Sequence, residues 1–274
     1  MNDVAVPLAT LAHSPAPRDL RIVGIAASAG GLEALRELIG ALPETGGLSY
    51  VVAQHLSPSH TSTLVDLLSR RTALRVVGLL DGQVPAAGTI YVTPPNHEAV
   101  FVDGRFELVD SPVSPQRREA ADNLFRSMAQ ALGEKAIGIV LSGAGSDGTA
   151  GLCDIKAASG VTIAQDPASS LHDGMPKSAI RSGCVDLVLQ PAEMGPVLLR
   201  LANEDVDADH AVALDDDGDL FEQVAQLVRV RTAFRLDAYK AGTVRRRIAR
   251  RLGLLNLPGL AEYARYMHST PDEA

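Results

Sequence analysis

Residues Arg21-Ile22-Val23-Gly24-Ile25-Ala26-Ala27-Ser28-Ala29-Gly30-Gly31 run a short apolar segment straight into a turn of small residues, and a helical pattern starts at Leu32. The segment is apolar throughout, as suits a strand covered on both faces. Comparable runs recur at Tyr50–Gln54, Thr89–Val92, Ala136–Leu141, Val161–Ala164 and Val185–Leu189. Between them lie amphipathic stretches such as Leu32–Ala41, Ser62–Arg71, Asn123–Leu132 and Thr149–Ser159. Strand, turn and helix in repetition predict an α/β domain with a mainly parallel sheet over residues 21–203. The stretch Val100–Val109, centred on Asp103-Gly104, predicts a β-hairpin excursion from that sheet.

The chain has 274 residues, 46% of them hydrophobic, with no Trp and a net charge of −8. That is the balance of a folded globular protein whose core is built from Val, Ile, Leu and Ala. No apolar run approaches the ~18 residues of a membrane span. Residues 1–20 lack a basic start and apolar core, so they read as a flexible tail and not a signal peptide. Cys153 and Cys184, the two cysteines, sit in segments that otherwise read as apolar. They fit neither a disulfide framework nor a metal site, and a reducing cytoplasm is the expected compartment.

Charge is distributed unevenly. Residues 204–219 hold eight acidic side chains, which predicts an extended, self-repelling linker. Arg229–Arg251 then carries nine basic residues against one acid, Asp237. Helical spacing at Phe221–Val230, Val244–Leu254 and Leu260–Met267 predicts a small all-α module over residues 220–274, with Thr243 as N-cap of the second helix. On a 3.6-residue period Val244, Ile248 and Leu252 share one face, and Arg246, Arg247, Arg250 and Arg251 crowd the other. Such a charge run reads either as a solvated face or as a surface for an acidic partner. Nucleic acid is disfavoured, because stacking aromatics are not interleaved and the acidic linker lies alongside.

Three readings compete for the first turn. Ser28 at the carboxyl end of a strand, among small neighbours, suits a nucleophile with helix N-terminal amides close by. The same amides suit a nucleotide phosphate. The bland alternative is an ordinary tight turn; the glycines match neither GxGxxG nor a P-loop.

The second strand ends at His55, and ligands of parallel α/β sheets gather beyond the carboxyl ends of strands. Histidine is the side chain best suited to proton transfer near neutral pH. His60 is the nearest competitor for that role. The fourth long run ends in Ser142-Gly143-Ala144-Gly145-Ser146-Asp147-Gly148, a second glycine-rich turn on the same edge. Asp147 there is either a turn and capping residue or the third member of a Ser28–His55–Asp147 relay.

These segments, with Ile163-Ala164-Gln165-Asp166-Pro167, Gly174-Met175-Pro176, Pro94-Pro95-Asn96-His97 and Asp122-Asn123-Leu124-Phe125, resemble the catalytic domain of the CheB family of chemotaxis protein-glutamate methylesterases. The resemblance covers residues 21–203 and implies a doubly wound sheet. It also implies Ser28 as nucleophile, His55 as general base and acid, and Asp147 as the residue orienting the histidine. Implied too are hydrolysis of glutamyl methyl esters on chemoreceptor cytoplasmic helices, glutamine deamidation in some members, and no metal or organic cofactor. The family commonly has Thr after the serine and Met between the glycines of the aspartate turn, where this chain has Ala29 and Ala144. Side-chain help at the oxyanion is lost there while backbone N–H donors remain, and since one lost donor costs ~2.7–4 kcal/mol, a slow site is expected. Many members also begin with a receiver domain, for which residues 1–20 are too short.

Residues 221–274 resemble the N-terminal helical domain of the CheR family of chemoreceptor methyltransferases, through Tyr239-Lys240, Thr243, Arg245–Arg251 and Leu260-Ala261-Glu262-Tyr263. That resemblance implies the front of an esterase–transferase fusion in which Arg246, Arg247, Arg250 and Arg251 bind an acidic helical substrate. A competing expectation is a non-catalytic regulatory module that binds a signalling partner through the same cleft. No direct membrane insertion is expected, and the sequence fixes no oligomeric state.

Overall fold

The computed structural model of the protein describes residues 20–54, 61–111, 119–203, 218–232, 241–270 and 273. Nine strands occur among the described residues: β1 (Arg21–Ala27), β2 (Leu48–Gln54), β3 (Arg75–Gly78), β4 (Thr89–Val92), β5 (His97–Val102), β6 (Arg105–Asp110), β7 (Ala136–Val140), β8 (Val161–Gln165) and β9 (Leu187–Leu189). Seven form one sheet in the order β3-β4-β2-β1-β7-β8-β9. Every neighbouring pair in it is parallel. The chain winds outward from β1 to β2 and β4, then crosses back and continues through β7, β8 and β9. This is the doubly wound arrangement, and its winding reverses between β1 and β7.

Alternation along each strand feeds two apolar layers. Val23, Ile25 and Ala27 of β1 pack with residues of α1 (Gly31–Ala41), α2 (Thr61–Ser69) and α6 (Pro191–Asn203). Ile22 and Ala26 pack the other way, with α3 (Ala120–Leu132), α4 (Thr149–Ala157) and α5 (Gly174–Arg181). Both faces of β1 are therefore buried, which explains its unbroken apolar sequence. Each large side chain so buried stabilises the fold by ~1.5–3 kcal/mol.

The expected hairpin is β5–β6, three residues longer at its start than the sequence suggests. Asp103 and Gly104 both have positive φ, 48° and 79°, as a tight two-residue turn requires. Phe101 and Phe106 pack edge to face across it, with ring centroids 5.2 Å apart.

Three further helices, α7 (Gly218–Thr232), α8 (Ala241–Leu255) and α9 (Leu260–Ser269), form the C-terminal module. Val224, Val244, Ile248, Leu252, Leu260, Tyr263 and Met267 make its core, on the face that the helical period indicates. Thr243 falls inside α8 and so is not its N-cap. Helix α7 already begins at Gly218, two residues inside the expected linker, whose residues 204–217 lie outside the described residues together with the tail 1–19.

The module does not stand apart from the α/β domain. Leu254 is buried within the apolar layer of α1 and α6. The Arg200 guanidinium donates to the Leu254 carbonyl at 3.2 Å, and Arg251 donates to the carbonyl of Asp186 at 2.6 Å. Asp186 immediately precedes β9, so this seam lies at the amino-terminal end of the sheet, opposite its carboxyl edge.

A second expectation from the sequence is also overturned. Cys153 on α4 and Cys184, ahead of β9, form a disulfide across a separation of 31 residues, with their Cα atoms 4.9 Å apart. The crossover through β8 and α5 brings the two segments together on one face of the sheet, a proximity that spacing along the chain does not reveal.

Candidate active site

The β1–α1 turn and the β7–α4 turn face each other where the winding reverses. Between them lies a cleft of about 370 Å³ lined by Ser28, Ala53, Glu119, Ala144, Asp147 and Met175, among others. Open α/β sheets bind their ligands at such a switch point. Backbone bonds knit the rim: Ser28 N–H donates to the Ser142 carbonyl at 3.1 Å, and Leu141 N–H to that of Ala26 at 2.9 Å.

Two side chains with no role assigned from sequence hold the second turn. Gln165, buried at the end of β8, accepts the Ser142 N–H through its Oε1 at 2.8 Å. Its Nε2 donates to the Ser169 carbonyl at 3.0 Å. The Ser142 hydroxyl, fully buried, accepts the His172 N–H at 3.0 Å, and Gly143 N–H returns a bond to the His172 carbonyl at 2.9 Å. The loops after β1, β7 and β8 are thus one hydrogen-bonded unit under Ser28. The sequence marks Ser142 and Gln165 only as members of longer motifs, with no sign of this bonding.

Asp147 is gripped by the start of α3. Its Oδ2 accepts the Ala121 N–H at 3.2 Å and its Oδ1 the Asp122 N–H at 3.1 Å. Both amides belong to the first turn of a helix, whose N–H groups lack intrahelical partners and are available to a side-chain acceptor. Asp122 is itself buried and accepts the Gly151 N–H at 2.7 Å. Burial pushes its carboxyl above the ordinary carboxylate range; the Gly151 bond pulls it down, Asp147 pushes it up, Arg126 lowers it and Glu119 raises it.

The expected base stands at a defined place in the chain but outside the described residues. Strand β2 ends at Gln54, in register with Ala27, and His55 follows directly. His60 also lies outside them. Ala29 and Ala144 are both exposed, and Ala144 lines the cleft.

The arginines expected to meet an acidic substrate divide. Arg247 is exposed on α8, Arg250 is half-buried, and the Arg246 side chain lies outside the described residues. Arg251 turns inward instead. Its guanidinium makes a two-point pair with Glu273, Nε to Oε1 at 2.5 Å and Nη2 to Oε2 at 2.6 Å, and Tyr263 Oη donates to the same carboxylate at 3.1 Å. Burial opposes its charge, but the Glu273 carboxylate outweighs this and raises its pKa. The helical period cannot place Arg251 correctly because α8 buries part of its basic face against the α/β domain. Among the described residues no group of three or more His, Cys, Asp or Glu could hold a metal ion.

The family of CheB methylesterases matches this sequence over residues 23–198. The chain belongs to that family. Residues 219–274 match the all-alpha domain of CheR methyltransferases, so a CheB-type domain and a CheR-type helical domain lie in one polypeptide. The crystal structure of the Thermotoga maritima CheB methylesterase catalytic domain superposes with a TM-score of 0.63 at 32% identity, covering 66% of this chain and 98% of that one.

Among curated relatives, protein-glutamate methylesterase/protein-glutamine glutaminase 5 of Anaeromyxobacter dehalogenans is 39% identical over 186 residues, 66% of this chain and 51% of its own length. Protein-glutamate methylesterase FrzG of Myxococcus xanthus is 37% identical over 185 residues, 67% of this chain and 55% of its own length. A 104.1 kDa protein of Rhodobacter capsulatus is 36% identical over 227 residues, 73% of this chain and 23% of its own length. The chain spans about half the length of the methylesterases it matches.

Proposed function

We propose that this CheB-family chain is a serine esterase that removes methyl groups from glutamyl side chains of chemoreceptor-type helical proteins. The observation that carries the reading is the meeting of Ser28 and Asp147 in one cleft at the reversal of the sheet. Ser28 Oγ attacks the ester carbonyl while His55 takes its proton. The tetrahedral oxyanion is met by backbone N–H groups, since alanines stand at 29 and 144. Collapse of the intermediate expels methanol, protonated by His55, and leaves a glutamyl–Ser28 ester. Water activated by His55 then hydrolyses that ester and frees the carboxylate. Asp147, fixed in place by the Ala121 and Asp122 amides, keeps the imidazole in the tautomer the reaction needs.

The same acyl-enzyme forms from a glutamine side chain with loss of ammonia, which makes deamidation a second reaction of this site. The substrate is an acidic helical region, and Arg246, Arg247 and Arg250 steer it by long-range attraction that weakens as salt rises. No helix among the described residues is long and apolar enough to cross a membrane, and the proposed compartment is the cytoplasm, where receptor signalling helices lie. The test is methanol release from a methylated receptor cytoplasmic fragment, with Ser28→Ala and His55→Ala as controls. Release lost in both variants supports the relay. Release that survives Ser28→Ala rejects it, and no release by the parent favours a binding module.

A further inference from the structure

We propose that Asp122 is a positioning residue for the reaction, fixing Asp147 through a reciprocal clamp between the first turns of α3 and α4. The inference rests on the esterase reading above and concerns a residue with no part in the relay itself. Asp147, just ahead of α4, accepts the Ala121 and Asp122 N–H groups at the start of α3. Asp122, at the start of α3, in turn accepts the Gly151 N–H at the start of α4. Each helix N-terminus therefore receives a carboxylate from the other segment, and neither can shift without breaking bonds of both.

The spacing leaves no slack. A β-carbon at Gly151 would lie 2.6 Å from Phe125 Cβ and 2.9 Å from the Asp122 carbonyl oxygen. The α4 backbone thus rests directly on the α3 turn. Arg126 also donates to Asp154 of α4 at 3.2 Å, which braces the same helix pair, and Asn123 ties α3 to Glu98 of β5 at 2.8 Å.

A carboxylate buried beside a second carboxylate is costly, and a merely structural bond to Gly151 needs no negative charge. An asparagine oxygen accepts that N–H equally well. Retaining aspartate adds a negative charge beside Asp147, and through the relay that charge favours the protonated histidine formed during ester cleavage. The charges around Asp122 are Asp147 from the β7–α4 turn, Arg126 from α3 and Glu119 from the segment before α3.

Two variants separate positioning from scaffolding. Asp122→Ala is expected to lower kcat for methanol release by about 10–100-fold with KM within about twofold, the scale of a small misplacement of a catalytic group. Asp122→Asn is expected to restore kcat to within about threefold while moving the acid limb of kcat/KM down by roughly half a pH unit, because one negative charge beside Asp147 is gone. Hydrogen exchange at Gly151 should quicken about tenfold or more in Asp122→Ala and return to the parent rate in Asp122→Asn. Unchanged exchange at Gly151 in Asp122→Ala, or a pH profile identical in parent and Asp122→Asn, overturns the proposal. A parent that releases no methanol overturns the esterase reading instead, and the exchange rates still decide the clamp.

Discussion

Gly143 presses its α-carbon so closely on the β1–α1 turn that a β-carbon there would lie 2.9 Å from Ser28 Cβ. The same β-carbon would lie 2.1 Å from the Met175 sulfur. Gly143→Ala is therefore expected to force Ser28 and Met175 apart, at an overpacking cost of about 1–3 kcal/mol. A displaced nucleophile loses far more in rate than in stability, on the order of 10²-fold. Thermal unfolding and methanol release on one preparation check the pair of effects; an active, destabilised variant would show that Ser28 tolerates the shift.

The buried carboxyl of Asp122 gives stability a definite dependence on pH. Its folded-state pKa is raised, above all by burial, so its contribution is fully present below the unfolded carboxylate range and is lost as pH rises through the folded value. Asp122→Asn, which keeps an acceptor for Gly151, should unfold at a higher temperature than the parent at pH 7. The gain should vanish below about pH 4. Melting curves of both proteins across that range check the sign.

Arg251 is expected to act as the latch of the helical module. Glu273 is only 4% exposed, so Arg251→Ala strands a buried carboxylate. Breaking such a pair from one side costs about 3–5 kcal/mol. The module should then become protease-sensitive while the α/β domain and the reaction at Ser28 survive, and the pair Arg251→Met with Glu273→Leu should recover most of the loss. Limited proteolysis read by mass spectrometry distinguishes the two domains.

The Cys153–Cys184 bond predicts no titratable thiol in protein purified without reductant and two after reduction. Opening a loop of this length is expected to lower stability by roughly 3–4 kcal/mol. Thiol titration and melting curves with and without a dithiol check both halves.

The sequence makes the strands flanking the site legible because β1, β2, β7 and β8 are buried on both faces and therefore continuously apolar. Edge strand β3 escapes notice: Arg75-Val76-Val77-Gly78 is four residues long, exposed at both ends, and has no flanking pattern of its own. The helical period locates the core of α8 through Val244, Ile248 and Leu252 but misplaces Arg251, since periodicity does not register which part of a polar face meets another domain. Ser28 and Asp147 are visible as chemistry at strand ends. Asp122, Ser142 and Gln165 fall within the motifs that carry the resemblance, but their part in holding those ends in place does not show, because their partners lie 23 to 30 residues away in the chain.

The central claim is that Ser28 carries out ester cleavage, and methanol release from a methylated receptor cytoplasmic fragment tests it most directly. Steady release by the parent and none above background by a folded Ser28→Ala variant is expected. Equal release by both proteins would contradict it.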